Sequence, residues 1–104
     1  MKYNYRKLLK VNRMKFKDAP NTMVITTKRI ISREAVVLFV SHDEEDGMWQ
    51  FLDGYEADEN CAAIINLIEM VSIDSSIEAL ADLPLGWVAW RDSMDSKWES
   101  QIQE

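Results

Sequence analysis

The sequence has very few of the residues that cross-link a fold or bind a metal ion. Among 104 residues it contains one cysteine, Cys61, and one histidine, His42. A lone cysteine excludes a disulfide within the chain and a zinc site built from paired thiolates. Because a protein without cross-links suits a reducing compartment, we expect a cytoplasmic location.

Long apolar runs and glycine-rich loops are also missing. The longest apolar run covers residues 35–40, far short of the roughly 20 residues that a membrane-spanning helix needs. Leu8 and Leu9 are followed at once by Lys10, so the apolar core of a signal peptide does not form there. The three glycines are isolated and indicate turns rather than a phosphate-binding loop. We therefore expect no membrane association, no secretion signal and no cofactor.

Apolar residues are present in the amount that one folded domain needs. Hydrophobic residues make up 47% of the chain, and four tryptophans are among them. That content can offset the conformational entropy lost on folding. With 104 residues the chain is long enough for one hydrophobic core and too short for two. We expect a single domain.

Charge is distributed unevenly along the chain. Residues 1–17 carry seven lysines and arginines and no acidic residue, whereas residues 18–104 carry five basic and eighteen acidic side chains, a balance of −13. This composition predicts a basic N-terminal arm, residues 1–20, followed by one acidic domain, residues 21–104. A strongly acidic body repels nucleic-acid phosphate and attracts a basic protein surface.

The first half of the domain has the pattern of β-strands. β-Branched residues predict a first strand over residues 22–27, and a continuous apolar run predicts a central strand over residues 35–41. Alternation over residues 48–53 places Trp49 and Phe51 on one face of a third strand. The acidic turn between the last two strands predicts an antiparallel hairpin.

The second half mixes strand and helix signals. Residues 62–68 fit either a buried strand or the opening of a helix, and we favour a strand that becomes a helical turn over residues 68–71. Ser75 and Glu78 have the spacing of a capping box, which predicts a short helix over residues 76–81, and residues 87–91 predict a last strand ahead of a polar tail. Alternative caps for the helix are Asp74 and Ser76. Together these patterns predict an α+β fold, an antiparallel sheet of about four or five strands with one or two short helices against one face.

The sequence offers no complete catalytic or metal-binding motif. His42 has no nucleophile in a suitable context, and we expect it at the surface, at the edge of a loop. The acidic residues 43–46 are consecutive, and Gly47 comes one position too early for a calcium-binding loop. We therefore expect no enzymatic activity and no metal site. The alternative of an enzyme of unrecognised type would need a deep pocket that gathers His42 with carboxylates.

Two acidic clusters and one tryptophan are the candidate partner-binding residues. Trp49 should belong to the core, whereas Trp87 and Trp90 are three positions apart and cannot both face the core from one straight strand. We take Trp90 as the one at the surface. It is a candidate interface residue because tryptophan side chains often carry much of the binding energy at protein interfaces. The acidic candidates lie in two predicted loops and are Asp43, Glu44, Glu45, Asp46, Glu56, Asp58 and Glu59.

Two stretches of the sequence carry a resemblance to a known family: SHDEEDGMWQFLDG, residues 41–54, and LADLPLGWVAWR, residues 80–91. Over residues 22–98, roughly three quarters of the chain, the sequence resembles a bacterial family long classed as a domain of unknown function and since grouped with the immunity proteins of polymorphic toxin systems. The resemblance implies a stoichiometric inhibitor that occludes a toxin and has no chemistry of its own. It implies no particular interface residue.

These observations favour a non-catalytic binding protein of the immunity type, whose acidic loops meet a basic protein partner such as a toxin. An alternative from another class is a nucleic-acid-associated protein that acts through the basic arm, with Tyr3, Tyr5 and Phe16 as stacking residues. A further alternative is a housekeeping protein that retains the fold without an immunity role.

Overall fold

The computed structural model describes residues 14–55 and 59–103, which form a six-stranded sheet and short helices. The strands are β1 Met23–Thr27, β2 Phe39–His42, β3 Trp49–Leu52, β4 Ala62–Asn66, β5 Trp87–Trp90 and β6 Glu99–Ile102. The helices are α1 Lys28–Ile31 and α2 Leu67–Ile73, with 3-10 helices at Glu59–Cys61 and Ser75–Leu80. The predicted α+β class is confirmed, with more strands than the four or five expected. None of the helices described is long and apolar enough to cross a lipid bilayer.

The strand order in the sheet is β4-β1-β3-β2-β5-β6. Most neighbours run antiparallel, and β2 and β3 form the hairpin that the sequence predicts. The exception is β1, which lies parallel to β3 with Ile25 opposite Gln50. The chain returns in β2 and reverses again at the hairpin, so β3 enters beside β1 in the same direction. The sheet is therefore mixed rather than purely antiparallel.

Strand β6 lies in the segment that the sequence presents as a polar tail. It pairs antiparallel with β5 and places Glu99 opposite Trp90 and Ile102 opposite Trp87. All four of its side chains are exposed. The backbone hydrogen bonds to β5 therefore hold β6 in place, and burial of its side chains does not. A strand with no buried side chain has no hydrophobic alternation, which is why the sequence pattern does not predict it.

Strand β2 begins at Phe39, four residues later than the pattern predicts. The N–H groups of Glu34 and Ala35 both donate to the carbonyl of Arg29, at 2.9 and 3.1 Å. This turn uses backbone groups that a strand would need for its ladder. Among the apolar residues ahead of β2, Val37 lies wholly within the core without being in the sheet, whereas Val36 is exposed.

Capping residues set where the helical segments begin. The predicted change from strand to helix occurs at Asn66, whose Oδ1 accepts from the N–H of Glu69 at 3.3 Å and caps α2. The helix predicted over residues 76–81 is a 3-10 helix, and its cap is Asp74, whose Oδ1 accepts from the N–H of Ser76 at 3.0 Å. Asp74 takes this position because its backbone is extended, as a capping residue requires.

One face of the sheet packs against the helices and forms the core. Trp49 and Phe51 are buried on this face, as their alternation predicts, together with apolar side chains of α2. Phe16 belongs to the same core, and the edge of its ring meets Trp49 with the centroids 5.1 Å apart. Residues 14–20 of the predicted arm thus pack on the domain, and residues 1–13 lie outside the described residues. A buried Phe16 is not free to stack on a nucleic-acid base.

Candidate binding surface

The second face of the sheet, which we call the open face, is largely apolar. Residues paired across strands share a face, and Gln50 and Leu52 point away from the core because they alternate with Trp49 and Phe51. The buried residues of the described helices belong to the core on the other side. The apolar side chains on the open face are Met23, Ile25, Phe39, Leu52, Ile64, Val88 and Trp90.

Two large apolar side chains at one side of the open face are well exposed, whereas Val88 toward the other side is nearly buried. Met23 is 59% exposed and Ile64 is 64% exposed, on adjacent strands at one side of the sheet. Single exposed apolar residues are common, but contiguous apolar patches mark interaction sites. The open face is therefore the first candidate for a docking surface.

A groove of about 250 Å³ indents the open face between β1 and β3. Ile25 and Leu52 supply apolar lining, and Tyr55 and Arg29 lie at its end. The guanidinium carbon of Arg29 is 5.4 Å from the centroid of the Tyr55 ring, within the range of a cation–π contact. The groove gives an otherwise flat sheet a place where a partner's side chain can insert.

An ion pair between Arg29 and Asp53 borders this groove. Arg29 donates to both carboxylate oxygens, at 2.8 Å from Nε and 3.3 Å from Nη2. The Thr27 hydroxyl and the Tyr55 N–H each donate to the same carboxylate at 3.1 Å. Burial alone would raise the pKa of Asp53, but these hydrogen bonds outweigh it and hold that pKa below its usual value. The hydrogen bond to Asp53 raises the pKa of Arg29, so both groups stay charged and paired near neutral pH.

The acidic turn between β2 and β3 forms a second surface feature. Its four consecutive carboxylates, residues 43–46, line a depression of about 310 Å³ together with Gly86 and Gln103. None of these lining residues is basic. Asp43 connects this acidic depression to the open face, because its Oδ2 accepts from Nε2 of Gln50 at 2.6 Å. A concentrated negative potential therefore borders the apolar surface.

Glu59, the described member of the second predicted acidic cluster, does not come together with residues 43–46. Glu59 lies in the 3-10 helix ahead of β4 and lines the groove near the C-terminal end of β3. Residues 43–46 lie at the other, N-terminal end of β3. Glu56 and Asp58 lie outside the described residues. Among residues 14–55 and 59–103, no three or more His, Cys, Asp or Glu side chains are arranged to hold a metal ion.

The two tryptophans of β5 lie on opposite faces of the sheet, as their spacing predicts. Trp87 packs against the core, whereas Trp90 is on the open face, paired with Phe39 of β2. The half-buried Trp90 ring thus lies among apolar neighbours on the side of the sheet that none of the described helices covers. Its role at an interface stays a prediction.

His42 is the last residue of β2 and is half-buried instead of lying freely at the surface. Its ring stacks on Trp49, with centroids 3.8 Å apart and planes 12° from parallel. Its Nδ1 is 2.8 Å from the carbonyl oxygen of Leu83, so Nδ1 carries the proton and donates. The imidazole is therefore used to join β2 to the loop ahead of β5.

The groove and its ion pair are the features that the sequence did not reveal. Arg29 and Asp53 are 24 positions apart and meet because β1 lies beside β3, a pairing that no local pattern indicates. Arg29 also binds Cys61, whose Sγ accepts a hydrogen bond from Nη1 of Arg29 at 3.0 Å. The available signal is Asp53 itself, a charge directly after a half-buried strand, where a buried carboxylate needs a partner.

Comparison with known proteins gives no relative for this chain. No family model matches its sequence, and neither a curated protein nor a solved structure matches it. The binding role proposed below is therefore argued from the open face, the groove and the acidic depression, and a toxin as the partner is argued from the sequence resemblance alone.

Proposed function

We propose that this chain is a non-catalytic binding protein that docks a basic protein partner on its open face and so neutralises a toxin. The observation that carries the proposal is the contiguity of an apolar sheet face with a cluster of carboxylates. Apolar surface supplies affinity when it is removed from water, and charge beside it selects the partner.

The apolar part of the surface has the composition of an interface centre. Trp90 and Phe39 offer aromatic area, and aromatic residues are enriched among those that carry most of the binding energy. The groove beside Ile25 and Leu52 can accept an inserted side chain. A partner that covers Met23 and Ile64 would also remove the most exposed apolar residues of this face from water.

The charged part of the surface determines the chemistry of the partner. Residues 18–104 carry a balance of −13, and residues 43–46 place four of those charges beside the open face. A lysine- or arginine-rich patch flanking an apolar patch is the complementary surface. Such complementarity raises the association rate and suppresses wrong partners more than it raises affinity.

The resemblance to immunity proteins supports a toxin as that partner. Of the two stretches that carry it, residues 41–54 form the hairpin with the acidic turn, and residues 80–91 include β5 with Trp90. Both therefore contribute to the proposed surface. An inhibitor that acts by occlusion needs a docking face and no reactive group.

The test uses the product of the neighbouring reading frame, purified as an inactive variant, and calorimetry with the full chain. Trp90→Ala should raise Kd by about 30-fold or more, the effect of losing roughly 2 kcal/mol at an interface centre. The double variant Glu44→Gln and Glu45→Gln should slow association and reduce its dependence on salt. Its matched control is Glu34→Gln with Glu69→Gln, which removes two exposed charges outside the acidic depression.

Two outcomes would contradict the proposal. If the neighbouring product does not bind, its neutralisation by this chain is ruled out. If it binds and both surface variants behave like the control, docking on the open face is wrong.

A further inference from the structure

Strand β4 forms one outer edge of the described sheet. Its inner side pairs with β1, and Ile64 stands opposite Ile25. The N–H of Leu67 donates to the carbonyl of Thr22 at 2.8 Å, which fixes the alternation of inward and outward backbone groups along this pair. By that alternation, the N–H and C=O groups of Ile65 point toward β1. Those of Ile64 point outward, away from the sheet.

The five residues of β4 carry neither of the side-chain features, charge and proline, that block pairing with another strand. Ile64 is 64% exposed. The opposite edge of the sheet differs, because β6 begins with the charged Glu99 and carries polar side chains at its centre. Natural proteins protect edge strands with charge, proline or bulges, so an uncharged apolar edge is suited to pairing.

We propose that two copies of this chain associate by antiparallel pairing of β4 with β4 about a two-fold axis at Ile64. In this register Ile64 faces its own symmetry mate, and the pair exchanges two N–H···O=C hydrogen bonds. Ala62 faces Asn66 of the second copy, so within the paired strands no like charges stand opposite each other. The outward backbone groups specify an extended strand as the occupant, and the self-complementary sequence favours a second copy.

The acidic turn, residues 43–46, lies away from the proposed pairing, whereas the exposed Glu59 and Glu69 flank β4 and add a repulsion that salt screens. The turn joins β2 and β3, which lie three and two strands away from β4. At about 4.8 Å per strand this is roughly 10 to 14 Å within one copy, longer than the Debye length of about 8 Å at physiological salt. Pairing would join two six-stranded sheets into one and make their open faces continuous.

The test is sedimentation velocity on the full chain over a dilution series, with circular dichroism to verify folding. We expect a dimer at about 100 µM that dissociates on dilution. Ile64→Lys should give a monomer at every concentration, because it sets two ammonium groups against each other across the axis. Since Ile64 is largely exposed, this variant should keep the fold of the wild type.

The matched control is Gln101→Lys, at an exposed site on the opposite edge strand and on the same face. It should dimerise like the wild type. A wild-type chain that stays monomeric at about 100 µM, or an Ile64→Lys variant that still dimerises, would overturn the proposal.

Discussion

Replacing Arg91 by methionine tests whether one buried guanidinium holds the loops around the core together. Its side chain is 2% exposed. Nε donates to the carbonyl of Val37 at 2.9 Å, and Nη2 donates to Asp74 at 2.9 Å. Nη1 donates to the Ser76 hydroxyl at 2.9 Å, and the guanidinium lies 4.2 Å from the ring centroid of Trp98.

The expected cost follows from the groups that the substitution leaves behind. Removing one partner of a buried ion pair costs about 3–5 kcal/mol. Asp74 is 19% exposed and keeps some contact with water, which places the expected loss for Arg91→Met at the lower end, about 3 kcal/mol. Arg91→Lys keeps the charge but not the planar set of donors, and it should cost about 1–2 kcal/mol.

Urea unfolding followed by tryptophan fluorescence measures these losses as shifts in the midpoint at unchanged m-value. Asp74→Asn alone and combined with Arg91→Met completes a double-mutant cycle, which isolates the coupling between the two side chains. A loss below about 1 kcal/mol for Arg91→Met would show that these contacts do not hold the loops, and the reasoning would be wrong.

Three further predictions concern other parts of the molecule. Phe16→Ala should lower the free energy of unfolding by about 3–5 kcal/mol, because the ring is buried against Trp49. Urea unfolding measures this loss. A loss near zero would mean that residues 14–20 do not belong to the core. The pKa of Asp53 is lowered by folding, so its contribution to stability is present above the unfolded pKa of 3.8 and is lost as pH falls through the lower folded pKa. Asp53→Asn should therefore flatten the acid limb of a plot of unfolding free energy against pH, and an unchanged limb would contradict this assignment. Gly86→Ala should cost about 1–2 kcal/mol in thermal or urea unfolding, because φ is +81° there; an unchanged stability would argue against that backbone conformation.

Local patterns in the sequence were sufficient to predict the strands that have one buried face. The alternation of Trp49 and Phe51 gave the correct face of β3, and the acidic turn gave the hairpin with β2. The same alternation rule placed Trp87 and Trp90 on opposite faces. These features depend on neighbours within a few residues, which is the range over which hydrophobic periodicity is informative.

Features that depend on distant pairing could not be predicted in this way. The parallel contact of β1 with β3 brings Arg29 to Asp53, and neither residue has a local signal for the other. Strand β6 has no buried side chain and hence no periodicity. The open face became visible only after the register of six strands showed which side chains share it.

The interior position of β1 has a consequence for the order of folding. Although β1 precedes the other described strands in sequence, it lies between β3 and β4, and the hydroxyl of Thr26 donates to the carbonyl of Phe51, 25 positions later. Closing such loops costs entropy before any contact compensates for it, so the local β2–β3 hairpin should form before β1 docks beside it. During synthesis, β1 leaves the ribosome before both of its neighbours and must wait for residues 49–66 before it can pair with them.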